Sequence, residues 1–398
     1  MVAPPERRRL SPPAPRRARG LALVILLVFL AAEGSDGTLE PATQLDPAEA
    51  VLAERAEDPV HFTVSVSGDI LIHSFLWERA LANGGGSYDF APFFAQLDPY
   101  VADADLAICH VETPMTSAAP ASYPLFNTPP ELAKGIAASG WDACDTASNH
   151  ALDQGQEGVD QTGAALDRAG IEHTCSFPSA SAQRRPLVLD AKGIKVGYVA
   201  YTDFSIGFVP HPWSLNYVPA GGDIEDDARP ILADAQRARD AGAEAVVVTM
   251  QWGDENSTEP NDSQLALADA LTRSPLVTAV VGQGPHVVQP IRRLNGKFVA
   301  FSEGNLVSNQ SAAAGLPAET QYGYVALLHL IADENGVRVQ RVAYAPTWVR
   351  LSDYVVLPVG VGLRKDSSDA AALREAYDTV VGIAGRGKGI EPIPALLP

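Results

Sequence analysis

The sequence predicts an α/β layered fold. Three features carry that reading: short apolar runs that alternate like strands, helix-like segments set between them, and polar residues gathered where the runs end. The first run, FTVSVSGD (Phe62–Asp69), alternates apolar and small polar residues at period two, as a half-buried strand does, and ends in Gly-Asp. ADLAICHVE (Ala104–Glu112) is a second strand, followed at once by Thr113-Pro114. A third run, with Trp141, Ala143, Cys144 and Ala147, breaks into Asn149-His150, with Asp153 three residues on and a glycine at Gly155. GVDQTGAALDRAG (Gly158–Gly170) is helix-like, with Val159, Leu166 and Ala169 available for one face and Gly170 as its stop.

The alternation continues. IKVGYVAYTD is a strand; ARPILADAQRARDAGAEAVVVTMQWG gives a helix and then a strand ending at Gln251; QLALADALTRSPLVTAVVGQGPH gives a helix and then a strand ending before His286. KFVAFSEGN and GYVALLHLIADENGVRVQRVAY read as late strands, the second with Asn335-Gly336 as a hairpin turn. Residues 351–398 read as a helix and an irregular, proline-ending tail, and the chain shows no internal repeat.

With 398 residues, 46% of them hydrophobic, the chain can fill the core of one large or two medium domains. Its N-terminus differs in kind. Six arginines between Arg7 and Arg19 precede an apolar run of twelve, Leu21 to Ala32, shorter than the roughly twenty residues of a spanning helix. Residues 1–32 are therefore expected to act as a signal peptide, cleaved near Ala31-Ala32, or as a retained membrane anchor, in either case exporting the chain to the outer face of the cell membrane or beyond. Residues 33–60, rich in Ala, Glu, Asp and Pro, read as a linker, which leaves 61–350 as the main domain. Without the first 32 residues, which hold those six arginines and one glutamate, 23 basic residues face 47 acidic ones, a formal −24. Such a field repels nucleic acid and other polyanions, so nucleic acid is excluded as a partner. Three cysteines (Cys109, Cys144, Cys175) are too few and too irregularly spaced for a disulfide framework or a cysteine zinc site, and are expected as small apolar residues; export would allow two of them to pair.

In α/β sheets ligands bind outside the carboxyl ends of the strands, where loops from several strands converge. Here those ends carry Asp69, Glu112, Asn149 with His150, Gln251 with Glu255, and His286. Each has an ordinary reading alone: Gly68-Asp69 as a turn or helix cap, Glu112 as a solvated strand end, His286 as a turn residue. Together they are oxygen and nitrogen donors from five segments, a mixed set that suits Mn²⁺, Zn²⁺ or Fe²⁺.

The ordered motifs GDILIH, HVETP, SNHALDQG, MQWGDE, GQGPHVVQP and FSEGN, from about Val64 to Val307, resemble the CapA-type poly-γ-glutamate capsule-synthesis family, whose members look like calcineurin-type metallophosphoesterases. The resemblance implies a four-layer αββα sandwich with a metal cleft at the strand ends. It makes Asp69 a first-strand ligand, Glu112 a bridging carboxylate, Asn149 an amide-oxygen ligand and His286 the last imidazole of a His-Pro-His motif. His150 becomes a proton donor oriented by Asp153, and Glu255 follows Trp-Gly as the family's Glu does. Two departures stand out: Gln251 replaces a His before Trp-Gly, and Gly284 replaces the first His of His-Pro-His. The expected centre therefore holds one or two divalent ions, with His73 or His110 as substitute ligands and Arg292, beside Arg293, as either a substrate contact or a solvated strand end. The implied chemistry is hydrolysis, an ion polarising the scissile bond and His150 protonating the leaving group. Two functions follow from the resemblance: an exported metal-dependent hydrolase acting on a phosphoester or polymer in cell-envelope or capsule synthesis, or a non-catalytic accessory subunit of a membrane polymer synthase.

Overall fold

A computed structural model describes residues 58–365 and 368–394. The expected signal or anchor at 1–32, and the linker up to residue 57, lie outside the described residues. The strands, in chain order, are β1 (Val60–Ile70), β2 (Leu106–Val111), β3 (Ala143–Asp145), β4 (Glu172–Thr174), β5 (Leu187–Ala191), β6 (Ile194–Thr202), β7 (Ala245–Gln251), β8 (Ala279–Gln283), β9 (Ile291–Leu294), β10 (Lys297–Ala300), β11 (Asn305–Val307), β12 (Tyr322–Asp333), β13 (Gly336–Arg350), β14 (Val355–Pro358) and β15 (Ile390–Pro392). They form two sheets. The larger runs β14-β13-β12-β1-β2-β3-β4, with β11 added to β1 and β15 to β13; the smaller runs β5-β6-β7-β8-β10-β9.

Period-two alternation explains the layers. Val64, Val66, Ile108, Val196, Val247 and Val281 point between the sheets and form the central core. The opposite face of the large sheet, with Cys109, Val111 and Val349, is covered by Leu76, Phe93, Leu132, Ile136 and Leu166 from helices. The opposite face of the small sheet, with Val246, Val248 and Val280, is covered by Ile231, Ala235, Leu267 and Leu271 of helices Ile224–Asp240 and Asp262–Arg273. This is the αββα sandwich.

Local chemistry sets the helix ends. Gly155–Ala169 stops at Gly170, which adopts φ 78°, the left-handed conformation glycine takes without penalty. Asn261 and Gln264 form a capping box at the start of Asp262–Arg273.

Three expectations change. KFVAFSEGN is not one strand: β10 stays in the small sheet and β11 crosses to the large one, pairing in parallel with β1. The C-terminal segment does contain the expected helix, Ala370–Ala384, but Val355–Pro358 and Ile390–Pro392 rejoin the large sheet on β13 instead of forming an irregular tail. Cys109 and Cys144 face each other on β2 and β3 and are disulfide-bonded, because parallel pairing sets their Cα atoms 4.4 Å apart; Cys175 is free and buried.

Candidate metal centre

Parallel pairing aligns the carboxyl ends of the strands. Across the large sheet, Asn305, Asp69, His110 and Asp145 stand in one row on β11, β1, β2 and β3. Across the small sheet, Thr202, Gln251 and Gln283 form a matching row on β6, β7 and β8. A bulge between Ser67 and Asp69 re-aims the end of β1. Gly68 makes this possible: a Cβ there would fall 1.9 Å from the carbonyl oxygen of Gly304.

Asp69, Glu112 and His286 each offer a ligand atom, all within 4.8 Å of one another, and all three are buried. His286 reaches the cluster from the turn after β8, held at φ 60°, a conformation that costs a side-chain-bearing residue roughly 1–2 kcal/mol. Its Nδ1 lies 2.9 Å from Asp69 Oδ2 and 3.2 Å from Asn305 Oδ1. Asn305 donates its amide to the Thr320 carbonyl, so its oxygen faces His286 and Nδ1 carries the proton. Nε2 is then directed at Glu112, 3.7 Å from Oε1. Burial pulls the His286 pKa down, but the charge of Glu112 and the bond to Asp69 outweigh it and raise the pKa to about 10.

Glu112 is fully buried and neither carboxylate oxygen has a hydrogen-bond partner; burial raises its pKa. A carboxylate left this way costs several kcal/mol unless a cation meets it. His110, expected as a substitute ligand, donates Nδ1–H to Asp145 at 2.7 Å and turns Nε2, also unpartnered, toward Asp69 Oδ1 at 3.8 Å. This is the arrangement in which a carboxylate orients an imidazole toward an ion. Without one, burial lowers the His110 pKa but the charge and hydrogen bond of Asp145 prevail, raising it to about 9. Orphaned oxygens on Glu112, an orphaned nitrogen on His110 and converging donors fit one divalent ion.

The side chains expected at a second ion are engaged with one another. Asn149 backbone N–H donates to Gln251 Oε1 at 2.8 Å, which fixes the orientation of that amide, and Gln251 Nε2 then donates to Asn149 Oδ1 at 2.7 Å. Thr202 Oγ1 also donates to Gln251 Oε1 at 2.6 Å. The Asn149 oxygen is thus engaged by a neutral amide. Gly284 packs on the same side chain: a Cβ at 284 would lie 2.9 Å from Gln251 Cγ, and φ there is 103°. The two departures from the family pattern are one packing event.

The remaining predicted residues separate. His150 donates Nδ1–H to Asp153 Oδ2 at 2.7 Å, and the Phe126 backbone N–H fixes the same oxygen at 2.6 Å. The ring of Phe126 meets that of His150 edge-on at 4.6 Å. His73 precedes helix Ser74–Asn83, stands edge-on to Phe126 at 5.2 Å and is outside the three-residue cluster; burial lowers its pKa to about 4. Glu255 is exposed on the loop after β7, where it lines a small opening with Asn149, Gln251 and Gly284. Arg292 is on β9, paired with Glu259 at 3.1 Å and lying over Phe301, as a partly solvated strand residue does.

Sequence reasoning assigned no role to Asp145, Asn305, Gln283 or Glu303. Glu303 is buried at the crossing between sheets, accepts from Gln283 Nε2 at 2.6 Å and has its pKa raised to about 8 by burial. FSEGN, quoted as a motif, was the available signal for Glu303 and Asn305.

The profile of the family described as "Bacterial capsule synthesis protein PGA_cap" matches residues 63–310. The PGA biosynthesis protein CapA of Bacillus subtilis is 26% identical over 254 residues, 62% of this chain and 63% of that protein, so the match spans less than two thirds of that relative. The capsule biosynthesis protein CapA of Bacillus anthracis is 24% identical over 304 residues, 74% of this chain and 70% of that protein. Among solved structures, a calcineurin-like phosphoesterase from Bacillus subtilis aligns with 80% of this chain and 99% of its own at 13% identity and a TM-score of 0.42. By the extent of the profile match, this chain belongs to the bacterial capsule synthesis family, PGA_cap.

Proposed function

We propose that this chain is an exported, metal-dependent hydrolase of phosphoesterase type acting in cell-envelope polymer synthesis, with poly-γ-glutamate capsule as the polymer class of its relatives. The observation that carries the reading is the buried Asp69–Glu112–His286 cluster with both Glu112 oxygens unpartnered. Asp69, Glu112 and His286 would hold the ion, with His110 beside Asp69. A divalent ion there supplies Lewis acidity to a phosphoryl or acyl oxygen.

The chain's own groups do the rest. The Asp153 carboxylate accepts from His150 Nδ1–H, so a protonated His150 presents Nε2–H to a leaving group. Phe126 packs on that ring and limits the water around it. Export is supported by the N-terminal arginines and apolar run and by the Cys109–Cys144 disulfide, a bond that persists in oxidising compartments. Among the described residues no helix is long and apolar enough to cross a membrane.

The test is elemental analysis of the purified protein with hydrolysis assays on phosphodiesters. One equivalent of transition metal, lost in Asp69→Ala/His286→Ala, and metal-stimulated hydrolysis lost in His150→Ala, are expected. Metal bound with no hydrolysis favours the second reading, an accessory subunit of a membrane polymer synthase, which the Gln251–Asn149 contact supports because a phosphoester clamp normally uses two ions.

A further inference from the structure

Eight large hydrophobic side chains are exposed among the described residues, and six of them flank the Asn149–Asp153 turn: Phe75, Tyr123, Leu125, Phe204, Ile206 and Phe208. Hydrogen bonds tie them there. On one side Phe126 N–H donates to Asp153, and Ser74 N–H to Ser122 Oγ at 3.2 Å, which joins Phe75 to the Tyr123–Leu125 loop. On the other side Ile206 N–H donates to the Asn149 carbonyl at 3.0 Å. Phe208 is 87% exposed and Tyr123 77%, so these groups are offered to a neighbour and not tucked into the fold.

Composition adds an independent observation. Residues 117–130 and 204–222, the two loops in question, contain no Asp, Glu, Lys or Arg, in a chain that is 19% charged. Acidic proteins do not ordinarily strip charge from two loops and place aromatic groups at the tips unless something apolar covers them. A protein partner is usually met by an aromatic core that also carries arginine, set inside a polar rim. Uncharged loops carrying Phe, Tyr, Trp and Leu have instead the composition of the membrane interface, where aromatic rings settle at the headgroup boundary.

We infer that these two loops seat the mouth of the cleft on a lipid bilayer, so that the substrate of the site is one displayed at a membrane surface. The contact is apolar, because the loops hold no lysine or arginine to meet anionic headgroups and His211 is stacked on Trp213; it is insensitive to salt and needs no anionic lipid. The reach is sufficient: β1 begins at the end of the sheet opposite Asp69, about 30 Å away, and the sequence from 33 to 57, after the apolar run at 21–32, has a contour length of about 85 Å. The inference rests on the envelope reading for its membrane and on the loops for its contact.

The test uses the full chain in phosphatidylcholine vesicles whose acyl chains are brominated, with Phe208→Trp as reporter. Glu334→Trp, in the β12–β13 hairpin turn at the opposite end of the sheet, is the control. Loss of the added emission in Phe208→Trp but not in Glu334→Trp is expected. Emission unchanged in both, the outcome if a protein or only water covers the loops, overturns the inference, and so does equal loss in both. Neither result depends on bound metal or hydrolysis, so failure of the metal reading and failure of this one are told apart.

Discussion

Gln251 donates its side-chain amide to Asn149 Oδ1 at 2.7 Å, and the Asn149 backbone N–H returns the contact to Gln251 Oε1 at 2.8 Å. Two strand ends from different sheets are joined this way by neutral groups, at the place where an imidazole and an amide oxygen would otherwise face an ion. The isosteric Gln251→Glu is therefore informative. It keeps the backbone contact but sets a carboxylate oxygen against the Asn149 oxygen. In chelator it should cost about 2 kcal/mol. Added Mn²⁺ should restore stability by binding a second equivalent, where the wild type binds one. Thermal unfolding and metal counting read both, and a wild type with two equivalents would show the second position to be open.

The single-ion reading also predicts a proton count. His286, held protonated up to about pH 10 without an ion, must give up the Nε2 proton to act as a ligand. Metal binding near pH 8 should release about two protons, one from His286 and one from His110, which its pKa of about 9 without an ion leaves protonated there too, visible as a dependence of the calorimetric enthalpy on the ionisation heat of the buffer, and affinity should rise with pH. At a hundred-fold excess over its dissociation constant the ion should stabilise the fold by about 2.7 kcal/mol. Glu112→Gln should abolish that increment. A chelator that leaves the wild-type melting temperature unmoved would argue against the centre.

How much of this was legible in the sequence depends on the range of the interaction that decides each residue. Asp69, Glu112 and His286 each close or follow an apolar run, so their place at strand ends followed from local pattern. Asp145 did not stand out, because β3 has three residues, too few for a period of two to show. Asn305 was hidden for another reason. KFVAFSEGN looks like one strand, and what splits it is the approach of Gly304 to Gly68, a contact between segments more than two hundred residues apart. The identity of Gln251 was plain, yet its partner was not, since that depends on where β7 of one sheet meets the turn after β3 of the other.

The cysteines show the same limit and give a prediction of their own. Nothing local pairs Cys109 with Cys144; the register of β2 on β3 does, and it places the bond beside His110 and Asp145. The bond closes a separation of 35 residues, worth about 3–4 kcal/mol in the chain-entropy account. Cys109→Ala/Cys144→Ala should lose that much in urea unfolding. Reductant should shift the wild type toward the variant and leave the variant unmoved; equal response in both would mean that the bond is absent in solution.

Asp203 supplies a pH dependence away from the ion ligands. It follows β6, accepts from Gly253 N–H at 3.2 Å, and has its pKa raised to about 6, chiefly by burial. A carboxyl whose folded pKa exceeds its unfolded value, near 4, contributes fully below pH 4 and progressively less as the pH climbs through 6. The unfolded chain ionises first, so stability should fall across that window by about 3 kcal/mol, and stay flat above it for this group. Asp203→Asn keeps an oxygen for Gly253 and removes the titration. Urea midpoints at several pH values should therefore show the variant gaining on the wild type between pH 4 and 6.5, with the two curves parallel outside that range. Parallel curves throughout would mean that water reaches Asp203 well enough to leave its ionisation unpenalised.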